Sequence, residues 1–128
     1  MELTSRQFWL DYWEKKDNLI IKVSDNLPLI DIFKKINQSK KINNSIEIGG
    51  FPGHYSIFLK KKLGINTTLL DYVIHKKIIQ NLLKYNQLKF NDIDLIEGNL
   101  FDLKIDKKYD LVFSNGLIEH FDDTSLII

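Results

Sequence analysis

Not one of the 128 residues is a cysteine, which excludes a disulfide framework and a thiolate zinc site and fits a reducing or redox-indifferent setting. No run approaches the ~18 apolar residues of a membrane span. The opening Met1-Glu2-Leu3-Thr4-Ser5-Arg6 lacks the basic start and apolar block of a secretory signal, so a cytoplasmic protein is the expectation. Arginine is nearly missing: 17 of the 18 cations are lysines scattered among predicted helices, a poor match to the gathered, arginine-bearing face of a nucleic-acid binder. The three histidines show no metal-ligand spacing and have no cysteine beside them, so no metal site is expected.

What is present suffices for one small domain or part of a larger one. With 44% hydrophobic and 12% aromatic residues the chain can build a core, and disorder throughout is excluded. Net charge is only +1 but is unevenly placed, with 15 basic against 8 acidic residues over 1–91 and 3 against 9 over 92–128. The two segments, +7 and −6, attract each other.

Phe8, Trp9, Tyr12 and Trp13 share one face of a helix predicted over residues 5–16, a face that has to be buried somewhere. Pro28 followed by Leu29, Ile32, Phe33 and Ile36 predicts a second helix with the proline near its first turn. From residue 45 onward strand and helix alternate. Strands are predicted over 45–48, 66–71, 94–97 and 109–114, the last apolar on both faces as a strand covered on both sides should be. Helices are predicted over 54–63, stopped by Gly64, and along Ile74, Ile78, Ile79, Leu82 and Leu83. This order implies βαβ units and an α/β fold, a parallel sheet with helices on both faces, whose ligand sits beyond the carboxyl ends of the strands.

At those ends, Gly49-Gly50-Phe51-Pro52-Gly53 makes a turn between strand and helix that brings backbone N–H groups close to a ligand; a tight turn and nothing more is the lesser alternative. Asp71 closes the second strand 18 residues after Gly53, where an acidic side chain can accept hydrogen bonds from two ribose hydroxyls. The dinucleotide fingerprint Gly-x-Gly-x-x-Gly is not met, because Phe51 and His54 occupy its second and third glycine positions.

Ile46-Glu47-Ile48-Gly49-Gly50-Phe51-Pro52-Gly53 resembles motif I of the class I S-adenosylmethionine-dependent methyltransferases, acidic-x-Gly-x-Gly-x-Gly. Leu69-Leu70-Asp71-Tyr72 resembles the second motif, and the stretch from Ile96-Glu97-Gly98-Asn99-Leu100 to Leu103 the third. Tyr109-Asp110-Leu111-Val112-Phe113-Ser114 with Asn115-Gly116-Leu117-Ile118-Glu119-His120-Phe121 is similar to the fourth and its following helix, so the resemblance spans residues 45–121. It implies a Rossmann-like α/β fold and S-adenosyl-L-methionine as cofactor. It further implies that Gly49, Gly50, Phe51 and Gly53 line the methionine moiety and that Glu47 orients its amino group, directly or through water. Asp71 would bind the ribose, Asn99 and Leu100 would read the adenine edge, and Ser114 would lie beneath the sulfonium. Tyr72 would pack on the adenine, although ordinary packing between strand and helix is an equal reading. Two positions depart from the family pattern: Phe51 replaces the middle glycine of motif I, and Asn99 stands where many relatives have Asp.

Methyl transfer from a sulfonium is an in-line displacement that needs alignment and exclusion of water more than a base. His120, with Glu119 beside it, is a candidate base, but a structural hydrogen-bonding role is the commoner one for such a histidine. Phe8-Trp9-Leu10-Asp11-Tyr12-Trp13 resembles the leading segment of small-molecule methyltransferases, which closes over the cofactor; packing against the sheet is the alternative for Tyr12 and Trp13. The family's domain has seven strands and the sequence supplies four, ending within an apolar stretch at Leu126-Ile127-Ile128. The expectation is therefore an N-terminal helical segment over 1–44 followed by an incomplete domain over 45–128. Such a truncated form would leave an open sheet edge for self-association and an unidentified, small-molecule acceptor. Two other readings are a non-catalytic cofactor-binding or assembly module and an NAD-dependent oxidoreductase, the latter opposed by Phe51 and His54.

Overall fold

A computed structural model describes residues 5–25 and 27–114. Helix α1 (Arg6–Lys15) starts at Ser5, whose hydroxyl oxygen accepts the Phe8 N–H at 3.2 Å, and helix α2 (Ile30–Ser39) follows a looped segment. Strand β1 (Asn44–Ile48), helix α3 (His54–Leu63), strand β2 (Asn66–Asp71), helix α4 (Lys76–Tyr85), strand β3 (Asp94–Glu97) and strand β4 (Leu111–Phe113) complete the described elements.

All strand pairs are parallel, in the order β3-β2-β1-β4. This is the expected α/β arrangement of a parallel sheet with helices around it. The chain leaves β1 in one direction for β2 and β3, then returns to the other side of β1 for β4. The order thus reverses at β1, and the turn that follows β1 lies at the place where open sheets of this kind hold ligands.

Side chains alternate along each strand, so residues in register share a face. One row on that basis reads Leu95, Leu69, Glu47, Phe113 across the sheet, and the next row toward the carboxyl ends begins Glu97, Asp71. The face of these rows packs on a single core. Ile57, Phe58 and Leu59 of α3 and Ile79, Leu82 and Leu83 of α4 join Leu69 there, together with Ile30 and Phe33 of α2, Val23 and Ile42. Residues from both sides of the boundary expected at residue 44 therefore contribute to one core.

Four local expectations are corrected. Helix α2 begins two residues after Pro28, behind Leu29 at φ 70°, so the proline stands outside the first turn. Helix α4 begins at Lys76, leaving Ile74 buried in the preceding loop, and His75 caps the helix by accepting the Ile78 N–H on Nδ1. Strand β4 is shorter than 109–114 because the Asp110 carboxylate turns back to accept the Asn43 N–H at 2.8 Å, while Val112 is 59% exposed and not covered on both sides. No residue of α1 is buried; its rings pack largely on one another, with Phe8 edge-on to Trp9 at 5.3 Å. No helix of the described residues is long and apolar enough to cross a membrane.

Candidate functional site

The turn after β1 needs its glycines for two reasons. Gly49 (φ 72°) and Gly53 (φ 95°) adopt the left-handed backbone that side chains disfavour, and Gly53 forms the N-cap of α3. At Gly50 the reason is space, because a Cβ there would overlap the Glu47 carboxyl group. The turn is folded over that carboxyl.

Glu47 is 2% exposed, in a row otherwise made of Leu and Phe. Its Oε1 accepts the Ser56 hydroxyl at 2.7 Å and the Ser56 N–H at 3.3 Å, both supplied by the first turns of α3. Burial pushes its pKa up to about 7; the Ser56 hydrogen bonds oppose the rise and the Asp71 charge adds to it. With Gly49, Gly50, Phe51, Pro52, His54 and Tyr55, Glu47 lines an open pocket of about 180 Å³. That is room for an amino-acid-sized group and less than the ~300 Å³ at which complete small-molecule sites begin, so a larger ligand would extend out of it. Partial burial first, and then the Glu47 charge, raises the Tyr55 phenol above its ordinary value.

Asp71, half-buried at the end of β2, reaches across to the same turn. Its Oδ2 accepts the Phe51 N–H at 2.9 Å and its Oδ1 the Tyr72 N–H at 2.7 Å. The carboxylate is thereby fixed in direction. The Glu97 carboxylate, ending β3 beside it, accepts the Ile74 N–H at 2.7 Å.

Helix α1 lies over these strand ends. Trp13 packs on the Phe51 ring with centroids 4.9 Å apart, Glu14 meets His75 Nε2 at 3.0 Å, and Arg6 approaches Glu97 at 3.4 Å. Phe51 and His75 follow β1 and β2, and Glu97 ends β3. Of the two residues for which packing was the alternative, Trp13 packs against the core through Phe51, while Tyr12 is exposed. The segment between α1 and α2 is tied down by two side chains: His54 Nε2 bonds the Leu19 carbonyl at 2.9 Å, and Asn86 accepts the Val23 N–H and donates to the Ile21 carbonyl.

Glu47, Gly49, Gly50, Phe51 and Gly53 are brought together in the pocket turn, with Asp71 joined to it through Phe51. Tyr72 is half-buried beside Asp71. Asn99 is partly engaged locally, its Oδ1 accepting the Phe101 N–H at 3.0 Å, and Leu100 beside it is half-buried. Ser114 is exposed one residue past β4, whose Phe113 pairs in register with Glu47. Glu119 and His120 lie outside the described residues. The sequence reading missed Ser56, Tyr55, His75 and Asn86. Asn86 had a signal, since it continues the Ile79, Leu82 and Leu83 stripe of α4 by one more turn and is fully buried.

No family model, curated protein or solved structure matches this chain. Among the described residues no three His, Cys, Asp or Glu side chains are grouped to hold a metal ion. The arrangement gathers the Glu47 and Asp71 carboxyl groups, a tight glycine-bearing turn and an aromatic helix at the carboxyl ends of the strands.

Proposed function

We propose that this chain binds S-adenosyl-L-methionine at the turn after β1 and serves methyl transfer to a small-molecule acceptor. The observation that carries the reading is the sign of the site. Carboxyl groups of Glu47, Asp71 and Glu97 mark the ends of three adjacent strands, and the chain's single arginine, Arg6, is already turned to Glu97. A sulfonium nucleoside with an ammonium group is attracted there, whereas a dinucleotide would bring a diphosphate toward carboxylates and a phenylalanine.

When bound, the cofactor supplies a methyl group already activated on a positive sulfur. The pocket under Gly50 takes the amino-acid end, where ionised Glu47 attracts the ammonium group. Asp71, pre-aligned by the Phe51 and Tyr72 amides, accepts the ribose hydroxyls, and Tyr72 and Leu100 flank the base. Helix α1, with Trp13 against Phe51, keeps water from the reacting end and so favours displacement over solvation of the nucleophile.

Calorimetric titration with S-adenosylmethionine, S-adenosylhomocysteine and NAD tests this. Saturable binding of the two sulfur nucleosides but not NAD is expected, and Asp71→Ala should weaken it at least about tenfold, since each charge-assisted bond contributes roughly 1.5–3 kcal/mol. Preference for NAD, or unchanged affinity in that variant, overturns the reading. A folded chain that binds none of the three favours the non-catalytic module instead.

A further inference from the structure

We propose that the amino-terminal end of the sheet, opposite the turn after β1, is a binding surface for single-stranded nucleic acid, held through its phosphates by lysines and through its bases by Tyr85 and Phe90. The inference does not depend on what the carboxyl ends of the strands bind.

The lysines look scattered along the sequence, but parallel topology gathers many of them. Every strand of this sheet starts at the same end, so the residues just ahead of each strand are brought together there. Lys40 and Lys41 stand ahead of β1, Lys62 ahead of β2, Lys84 and Lys89 ahead of β3, and Lys107 and Lys108 ahead of β4, and all seven are exposed. Hydrogen bonds tie the neighbouring connections into one surface. The Asn44 side chain donates to the Lys108 carbonyl at 3.0 Å, the Asn66 N–H to the Asn43 carbonyl at 3.1 Å, and Lys61 Nζ to the Asn86 carbonyl at 2.7 Å.

The positive charge is largely uncompensated. Four acidic side chains share this end, and two of them are engaged with backbone: Asp92 accepts the Lys89 N–H at 2.7 Å and Asp110 the Asn43 N–H at 2.8 Å, while Asp94 and Asp106 are exposed. None of the seven lysines is in an ion pair among the described residues. With Glu47, Asp71 and Glu97 at the other end, the sheet has a negative pole and a positive one, and the positive pole draws in a polyanion.

Two exposed rings choose among polyanions. Tyr85, the last residue of α4, is 58% exposed, and Phe90, in the connection ahead of β3, is 41% exposed. Each directly follows a lysine, Lys84 and Lys89. Such rings stack on unpaired bases while the adjacent cations hold the backbone, a grip that tolerates any sequence. Lysine without arginine fits that grip, since a point charge holds phosphate without the planar fork that reads base edges. A lipid surface would be met by a continuous apolar face rather than by single rings set between charges.

Fluorescence anisotropy of labelled oligouridylate and oligodeoxythymidylate, each of about 12 nucleotides, tests this with the whole chain. Saturable binding to one or both is expected, the tighter naming the preferred sugar, and log affinity should fall by about 0.7 per log unit of salt for each phosphate held. Lys84→Ala with Lys89→Ala should lower that slope by about 1.4. Lys76→Ala with Lys77→Ala, the same loss of exposed charge at the opposite end of α4, should leave it unchanged. Tyr85→Ala with Phe90→Ala should weaken binding at least about fivefold at constant slope. Both rings are exposed, so their removal leaves the core intact. Absence of saturable binding at low salt, equal losses in the two lysine pairs, or a ring variant that binds like the wild type overturns the proposal. So does lysine-dependent binding to vesicles of phosphatidylserine and phosphatidylcholine by a chain that ignores both oligonucleotides, which would mark a membrane surface instead.

Discussion

Glu47 is a carboxyl group standing in a row with Leu95, Leu69 and Phe113, and its protonation is tied to the stability of the fold. Its pKa rises from 4.5 to about 7, so between those values the folded chain holds a proton that the unfolded chain has released. Stability contributed by this group is complete below about pH 4.5 and lost as pH rises through about 7, a swing on the order of 3 kcal/mol. Glu47→Gln keeps an acceptor for the Ser56 hydroxyl but cannot ionise. The variant should match the wild type near pH 4.5 and exceed it at pH 8 by up to about 3 kcal/mol in urea denaturation. A parallel pH dependence in the variant would show that another group is responsible. The same substitution should weaken an ammonium-bearing ligand, so stability and binding make opposite demands on this position. That an acidic residue matters at 47 was legible from its place before the glycines. The Ser56 partner and the reason for Gly50 were not, since both follow from how the strand register and the turn bring distant backbone together.

Elements defined by glycine stops and apolar periodicity were read within a residue: β1, α3, β2 and β3. Those set by specific side-chain bonds were not. The pull of Asp110 toward Asn43 shortens β4, and the segment at 17–25, which looks merely polar, is held through its backbone by Asn86. Asn86 is 0% exposed and binds the Val23 N–H at 2.8 Å, the Ile21 carbonyl at 2.9 Å and the Leu82 carbonyl at 2.9 Å. Asn86→Ala strands at least one buried donor, and a loss of about 2–4 kcal/mol is expected in chemical denaturation. The loss should loosen the tether between α1 and α2, visible as faster proteolysis there. An effect under about 0.5 kcal/mol would mean that water replaces the side chain without cost. The aromatic face of α1 was legible as a face, yet its destination was not: Phe8 and Tyr12 stack on one another at the surface while Trp13 docks on Phe51.

Across the whole molecule, the opposite charges of the segments before and after residue 92 were expected to draw them together. Among the described ion pairs Arg6–Glu97 joins them, and its exposure keeps it at about 1 kcal/mol or less. Topology does more to unite the chain. The first strand in sequence is an inner strand of the sheet, with one neighbour close behind it and the other a long way off. During synthesis β1 can pair with β2 as soon as residue 71 is free of the ribosome, but β4 arrives roughly 40 residues later. At about 5–20 residues per second that is a wait of roughly 2–8 seconds. Throughout it, the row of N–H and C=O groups along Asn44 to Ile48 stands open to any passing strand. Chains released between residues 72 and 110 should therefore associate in sedimentation, and restoring Leu111–Phe113 should reduce it. The parallel pairing that centres the site on β1 thus sets a clock on its own birth.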